Sequence, residues 1–169
     1  SQQSKLASMA LSFGGSEINL GDNGNLVYRF PVDAEDWAGF ANETEELYPI
    51  SFSEIGNISF IGSVPSNETV NIRFRFEKNP HPDVDPAYDT TSVPITGSNE
   101  QVYSIDIPSQ GDNHFSSLIM YVEEIDKAVA LREISITANY EVSSDQNSDT
   151  SENNTSQYNC GSYCSESNG

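Results

Sequence analysis

The chain has 169 residues, of which 26 are acidic and 7 basic, and its formal net charge is −19. A surface this acidic repels nucleic acid and anionic membranes, so neither is expected as a partner. The length suits a single domain, and no apolar run is long enough to span a bilayer.

Short strand-like segments recur along the chain, and none of them shows a sustained helical period. Turn-forming residues separate them, as at residues 21–24, 65–67, 97–99 and 108–111. The predicted strands are residues 6–13, 16–20, 25–30, 37–41, 58–64, 70–77, 92–96, 101–107, 115–123 and 128–140. Strands of this length and spacing predict an all-β protein, a two-sheet antiparallel β-sandwich of the jelly-roll type.

The predicted strand 70–77 alternates apolar and polar side chains without a break. The apolar face, which we assign to the core, carries Val70, Ile72, Phe74 and Phe76. The other face carries Asn71, Arg73, Arg75 and Glu77. Guanidinium donors and a carboxylate in a row on a flat sheet can hold the hydroxyls of a sugar chain.

The predicted strand 115–123 alternates in the same way. Its core face carries Leu118, Met120 and Val122, and its other face carries Ser117, Ile119, Tyr121 and Glu123. If this strand neighbours strand 70–77, Tyr121 and Glu123 join the arginines on one concave sheet, but the sequence does not determine strand order. The last strand offers Leu131, Ile134 and Ile136 to the core.

Trp37 is the only tryptophan, and it lies two residues before Gly39. Sugars present apolar C–H faces that stack on aromatic rings, so Trp37 is a candidate sugar contact with room beside the glycine. The alternative is that Trp37 belongs to the core and that Arg73 and Arg75 pair with neighbouring acids. Spacing alone leaves both interpretations open, and Tyr88 and Tyr121 raise the same question.

The proline-rich loop that follows strand 70–77 is a candidate metal site. Asp83, Asp85 and Asp89 are close enough in sequence to supply oxygens to a structural calcium ion. The loop lacks the glycine and the final glutamate of the best-known calcium loop, and residues 21–25 are equally suggestive and equally incomplete. The alternative is that these carboxylates are simply solvated.

Catalysis has little support. The two histidines, His81 and His114, lie in predicted loops, and the folded part has neither a cysteine nor a Gly-x-Ser-x-Gly elbow. A glycosidase carboxylate pair needs a deep cleft, which so small a sandwich can scarcely build. We therefore expect a protein that is not an enzyme.

The composition changes near residue 142. Residues 1–142 form the predicted sandwich domain, and residues 143–169 are a disordered Ser/Asn/Asp-rich linker or tail with too few apolar side chains to pack. Both cysteines, Cys160 and Cys164, lie in this tail, where they could form a local disulfide. A folded part without thiols suits export, so we expect a secreted, extracellular protein.

Several groups of residues bear a family resemblance. They are Trp-Ala-Gly-Phe-Ala-Asn at 37–42, Leu-Tyr-Pro-Ile-Ser-Phe at 47–52, residues 70–80 with Asp-Val-Asp-Pro at 83–86, and residues 107–111 with 115–121. Together they resemble the non-catalytic β-sandwich carbohydrate-binding modules of laminarinases and similar enzymes secreted by marine bacteria. The resemblance covers most of residues 12–140 and implies a polysaccharide ligand and a covalently linked catalytic domain.

The expected function is that of a monomeric binding module that targets an attached glycoside hydrolase to a marine polysaccharide, a β-1,3-glucan such as laminarin. The alternatives are an agar-type or other red-algal galactan, for which the two arginines argue, and a calcium-stiffened structural or adhesive domain. The contact candidates are Trp37, Arg73, Arg75, Glu77, Asn79, Tyr88, Tyr121 and Glu123, with Asp83 as a further contact at the rim.

Overall fold

The computed structural model describes residues 3–138, with the side chains from Ser4 onward. The predicted tail, including Cys160 and Cys164, lies outside the described residues. None of the helical turns within 3–138 has the length and apolar character that crossing a membrane requires.

Residues 3–138 form fourteen strands and two short 3₁₀ turns. The strands are β1 (Gln3–Leu6), β2 (Leu11–Phe13), β3 (Glu17–Leu20), β4 (Leu26–Phe30), β5 (Gly39–Ala41), β6 (Ile50–Ser51), β7 (Gly56–Ser63), β8 (Thr69–Glu77), β9 (Ala87–Asp89), β10 (Val93–Thr96), β11 (Gln101–Ile107), β12 (His114–Phe115), β13 (Ser117–Val122) and β14 (Lys127–Ala138). The 3₁₀ turns are Asp22–Gly24 and Glu45–Leu47.

The strands form two six-stranded antiparallel sheets and a two-stranded ribbon. The first sheet has the order β11-β7-β14-β4-β3, and β1 pairs with the last residues of β14. The second sheet has the order β10-β8-β13-β5-β2, and β9 pairs with the end of β8. The ribbon consists of β6 and β12. The predicted two-sheet antiparallel β-sandwich is confirmed.

Aromatic side chains fill the space between the sheets. Phe60 of the first sheet meets Phe74 of the second with ring centroids 5.9 Å apart, and Tyr28 meets Phe40 edge to face at 4.9 Å. All four rings are buried. Because successive side chains of a strand point to opposite faces of the sheet, the residues before and after each buried ring lie on the outer face. The predicted core faces of β8 and β13 are confirmed in this way.

The predicted strand 6–13 is wrong as a single strand. β1 belongs to the first sheet and β2 to the second, so residues 7–10 cross from one sheet to the other. Ala7 and Met9 are buried in this crossing, and the Ala7 N–H donates to the Ile134 carbonyl at 2.8 Å. The apolar alternation therefore continues through a segment that changes sheets, which is why the sequence resembles one strand.

The predicted strand 115–123 is also divided. Phe115 ends β12, which pairs with β6, whereas β13 begins at Ser117 and pairs with β8. At the break, the Ser116 N–H donates to the carbonyls of Glu77 and Lys78 at 3.0 and 3.1 Å. These bonds satisfy the Ser116 amide where the chain passes from the ribbon to the second sheet.

A bulge in β14 explains its unusual pattern of buried residues. Leu131 and Ile134 are both buried, although an uninterrupted strand would place them on opposite faces. The pairing with β7 shifts between Arg132 and Ser135, and Glu133 has a φ of 55°. The extra residue restores the inward direction at Ile134 and Ile136, as the core assignment of these residues required.

Candidate functional site

A cleft of about 810 Å³ lies on the outer face of the second sheet. Its mainly apolar side is formed by Leu11, Phe13, Trp37, Ala41, Ile119 and Tyr121. Its polar side is formed by Arg75, Glu77 and Ser117, together with Pro80, His81 and Val84 from the loop between β8 and β9.

Strand register explains how these side chains meet. Leu11, Ala41, Ile119, Arg75 and Asp89 are successive Cα partners across β2, β5, β13, β8 and β9. Residues in such a row point to the same face of a sheet. The row changes from apolar at β2 to charged at β9, so the cleft has two chemically different sides.

Trp37 forms the exposed end of the apolar side. Trp37 is 57% exposed, and it precedes β5 rather than lying within it. The indole ring is nearly parallel to the Phe13 ring, with centroids 6.3 Å apart and an interplanar angle of 12°. The Phe13 ring in turn meets Tyr121 edge to face at 6.4 Å. The three rings form a continuous aromatic surface open to solvent at Trp37.

Gly39 allows two of these rings to approach the sheet. A Cβ atom on Gly39 would lie 2.9 Å from Phe13 Cζ and 2.9 Å from Tyr121 Cδ1. The space beside Gly39 is thus filled by Phe13 and Tyr121, whereas the prediction left it open for a ligand on the Trp37 ring. The Trp37 ring lies instead beside Gly14, where a Cβ would be 3.0 Å from Trp37 Cζ3.

Arg75 is held between two carboxylates on the polar side. Its Nε donates to Glu77 Oε2 at 2.8 Å, and its Nη1 donates to Asp89 Oδ2 at 2.6 Å. The hydrogen bond to Glu77 is the main cause that raises the pKa of the Arg75 guanidinium. The Glu77 side chain is only 7% exposed, and Ser117 Oγ donates to its other oxygen at 3.3 Å. These contacts hold the planar groups in place before any ligand binds.

Arg73 links Tyr121 to the same network. Its guanidinium carbon lies 4.4 Å from the centroid of the Tyr121 ring, a cation–π arrangement. Its Nε is 3.5 Å from Asp89 Oδ1, and its Nη1 is 3.5 Å from Glu123 Oε2. Burial is the main cause that raises the pKa of the Tyr121 phenol, so its hydroxyl is a neutral donor at physiological pH.

The structure brings together part of the predicted contact set. Trp37, Arg75, Glu77 and Tyr121 line the cleft. Arg73 and Glu123 adjoin it through the contacts just described. The arginines pair with acids, as one interpretation predicted, and they also lie on the face that carries the cleft, where sugar contact stays a prediction.

Three other predicted contacts lie elsewhere. Tyr88 is the register partner of Phe76 and packs against the core, on the opposite side of the sheet from the cleft. Asn79 Nδ2 donates to Asp83 Oδ2 at 3.2 Å, and neither residue lines the cleft. Strand alternation did not reveal these positions, because the loop and β9 follow no continuous pattern.

The predicted calcium ligands are not gathered into a cluster. Asp89 contacts the two arginines, and Asp83 contacts Asn79, whereas Asp85 is exposed in the loop. Among residues 3–138, no three His, Cys, Asp or Glu side chains lie together in a group that could hold a metal ion. The calcium site stays a prediction.

The cleft residues that were not predicted as contacts are Leu11, Phe13, Ala41, Pro80, His81, Val84, Ser117 and Ile119. Of these, only Ser117 and Ile119 had been placed on the outer face of a strand. Leu11 and Phe13 alternate with the polar Ser12, a pattern that by itself would assign them to the core, so their outward orientation had no local signal. Their place beside Tyr121 depends on the pairing of β2 with β5, which is a long-range property. His81 was considered only as a catalytic candidate.

No family model and no curated protein sequence matches this chain. Among solved structures, it is similar to the CBM22-1 xylan-binding domain from Paenibacillus barcinonensis Xyn10C, with 14% identity over 75% of this chain and 83% of that chain and a TM-score of 0.53. The CBM22-2 xylan-binding domain of the same protein has 17% identity over 76% of this chain and 90% of that chain, with a TM-score of 0.52. The CBM22-1-GH10 modules of Clostridium thermocellum xylanase 10B, complexed with xylohexaose, have 8% identity over 80% of this chain and 28% of that chain, with a TM-score of 0.55. At these identities the likeness shows a shared β-sandwich fold.

Proposed function

We propose that this chain is a non-catalytic carbohydrate-binding module that holds an attached glycoside hydrolase on its polysaccharide. The observation that carries the proposal is an exposed Trp37, stacked on Phe13, in the same cleft as the fixed Arg75–Glu77 pair. A sugar ring has apolar C–H faces that fit an indole and equatorial hydroxyls that fit a guanidinium and a carboxylate. The two sides of the cleft match these two features of one ligand.

The fold supports the same function. Two of the three similar structures described above are xylan-binding domains, and the third contains a CBM22-1 module. The Clostridium thermocellum module is joined to a GH10 module in one chain. By analogy, the catalytic partner of this module is a linked glycoside hydrolase, and the place of action is extracellular, where polymeric substrates are found. Tethering raises the local concentration of the enzyme on the polymer.

The cleft argues against a catalytic role for its own carboxylates. Glu77 and Asp89 both accept hydrogen bonds from Arg75, and Glu77 is nearly buried. A glycosidase pair must flank the bond that it cleaves, with one group free to donate a proton to the leaving oxygen. Two carboxylates bound to one guanidinium are suited to orienting Arg75 for hydroxyl groups.

The proposed ligand is a neutral marine β-1,3-glucan such as laminarin. Hydroxyls are the polar groups of such a polymer, and they can both accept from Arg75 and donate to Glu77. A calcium-stiffened adhesive domain is the competing function, but among the described residues no group of three His, Cys, Asp or Glu side chains could hold a metal ion.

Affinity gel electrophoresis tests the proposal. The protein is run through gels containing laminarin, mixed-linkage glucan, xylan, agarose, porphyran, carrageenan or alginate, with and without calcium. Retardation by laminarin is expected. Retardation by xylan alone would support a carbohydrate-binding module whose ligand is xylan and not laminarin. A protein that no polymer retards, and whose melting temperature rises with calcium, would be assigned to the structural or adhesive class.

A further inference from the structure

The arginines beside the cleft are outnumbered by carboxylates. Arg73 and Arg75 contact three acidic residues, namely Glu77, Asp89 and Glu123. The group of five therefore has a formal net charge of −1 in a region where two neighbouring arginines alone would attract anions. The charge balance of this group bears on which polymers the cleft accepts.

The contacts also occupy the parts of each guanidinium that recognise anions. A carboxylate or sulfate is gripped best by two parallel N–H donors on one edge of the guanidinium, either Nε with Nη2 or Nη1 with Nη2. In Arg75, Nε donates to Glu77 and Nη1 to Asp89. In Arg73, the same two nitrogens face Asp89 and Glu123. Each edge of both arginines thus has one of its two nitrogens within 3.5 Å of a carboxylate oxygen of the protein.

Asp89 and Glu123 are placed differently from Glu77. The Glu77 side chain is 7% exposed and contacts Ser117, so it stabilises the sheet in addition to holding Arg75 in place. The Asp89 side chain is 39% exposed on β9, an edge strand, and the Glu123 side chain is 24% exposed just beyond β13. Surface ion pairs add little to stability, and Glu123→Gln keeps an oxygen that can accept the hydrogen bond from Ser92, so we expect both carboxylates to be neutralised without loss of the fold.

We propose that Asp89 and Glu123 are specificity-determining residues, which occupy Arg73 and Arg75 and thereby exclude polymers bearing carboxylate or sulfate groups. A neutral chain is still accepted, because its hydroxyls need only single donors such as Arg75 Nη2. An anionic chain would have to displace a protein carboxylate and then lie beside it, and placing like charges side by side suppresses wrong partners. This inference rests on the proposed carbohydrate-binding function.

The test uses Asp89→Asn, Glu123→Gln and the double variant in the full chain. Each substitution preserves shape and removes one negative charge from the group, so the double variant changes its formal charge from −1 to +1. We expect the double variant to bind alginate or carrageenan at least about fivefold more tightly than the wild type at low salt, the order of one partly screened charge interaction. Its affinity for laminarin is expected to change by less than about threefold, because the neutral chain gains no charge interaction.

Glu17→Gln is the matched control. Glu17 is an exposed acid on the edge strand β3 of the first sheet, and it pairs with Arg29 at 3.6 Å. The substitution removes the same charge from an arginine-paired carboxylate that does not line the cleft. We expect it to leave the affinity for alginate and carrageenan at the wild-type value.

The outcomes separate this inference from the function on which it rests. A gain confined to the cleft variants supports it. An equal gain in Glu17→Gln would attribute the effect to overall charge and overturn it, as would a double variant that melts like the wild type and gains nothing. A wild type that prefers alginate or carrageenan to laminarin would overturn the inference while the binding module stands. A wild type that binds no polymer at all would overturn both.

Discussion

Truncation of Trp37 is the most direct test of the aromatic side of the cleft. Trp37 is 57% exposed, so about 43% of a tryptophan surface of up to about 250 Å² is covered by the protein, or about 110 Å². At about 25 cal/mol per Å², Trp37→Ala should cost at most about 2.7 kcal/mol of unfolding free energy. Since the unfolded chain already covers part of this surface, about 1–2 kcal/mol is expected.

The loss of laminarin affinity expected for Trp37→Ala depends on the exposed part of the Trp37 surface. About 140 Å² of Trp37 faces solvent, and a sugar stacked on one face would cover about half of it. Burial of about 70 Å² is worth about 1.8 kcal/mol, so Trp37→Ala should weaken laminarin binding by about 20-fold. Titration calorimetry with laminarin oligosaccharides measures the affinity, and urea unfolding measures the stability.

Leu20→Ala is the control for this comparison. Leu20 is 88% exposed at the end of β3 in the first sheet, so its truncation should change neither quantity measurably. Two results would refute the reasoning about Trp37. An unfolded or severely destabilised Trp37→Ala protein would assign the ring to the core, and an affinity equal to that of the wild type would place the ligand elsewhere.

Three further substitutions probe the polar side, the sheet beneath the rings and the first sheet. Arg75→Ala should weaken laminarin binding by about tenfold and cost about 1–3 kcal/mol of stability in urea unfolding, because it removes the main partner of the nearly buried Glu77. Gly39→Ala should lower the unfolding free energy by about 1–3 kcal/mol and also weaken laminarin binding, since the new Cβ displaces the Phe13 and Tyr121 rings. An unchanged affinity would show that these two rings do not contribute to the binding site. Hydrogen bonding, chiefly from Arg132, lowers the pKa of Glu100 from 4.5 to about 2. A carboxylate whose pKa is lower in the folded state stabilises the fold at pH values above its unfolded-state pKa, and this stability is lost as the pH falls through the folded-state pKa. The Tm difference between wild type and Glu100→Gln should therefore shrink between about pH 5 and pH 2. A difference that stays constant with pH would show that Glu100 contributes in another way.

The local part of the fold was predictable because burial imposes a period of two. Residues 70–77 alternate so regularly that both faces of β8 were assigned correctly, and the same holds for β13. The two faces of β14 could be assigned only by core preference, because the bulge at Glu133 interrupts its alternation. Where alternation continued through a change of sheet, as at Ala7 and Met9, the prediction merged two strands.

The site was less predictable because it depends on strand order. Arg75 and Tyr121 were expected to share a face only if β8 and β13 are neighbours, and this condition is met. The pairing of β2 with β5, which brings Phe13 to Trp37, has no local signal. Asp89 was predicted as a calcium ligand because it follows two other aspartates, whereas its three-residue strand pairs it with Arg75. A strand so short leaves no periodic pattern to detect.

The charge of the whole chain and the charge of the cleft act over different distances. A net charge of −19 repels anionic polymers at low salt, but at an ionic strength of about 0.5 M the Debye length is only about 4 Å, so this long-range repulsion is largely removed. The contacts of Arg75 with Glu77 and Asp89, at 2.8 and 2.6 Å, lie within that length. The selectivity for neutral polymers that we propose therefore depends, in salty water, on donors that are already occupied, because the overall acidity of the chain no longer discriminates.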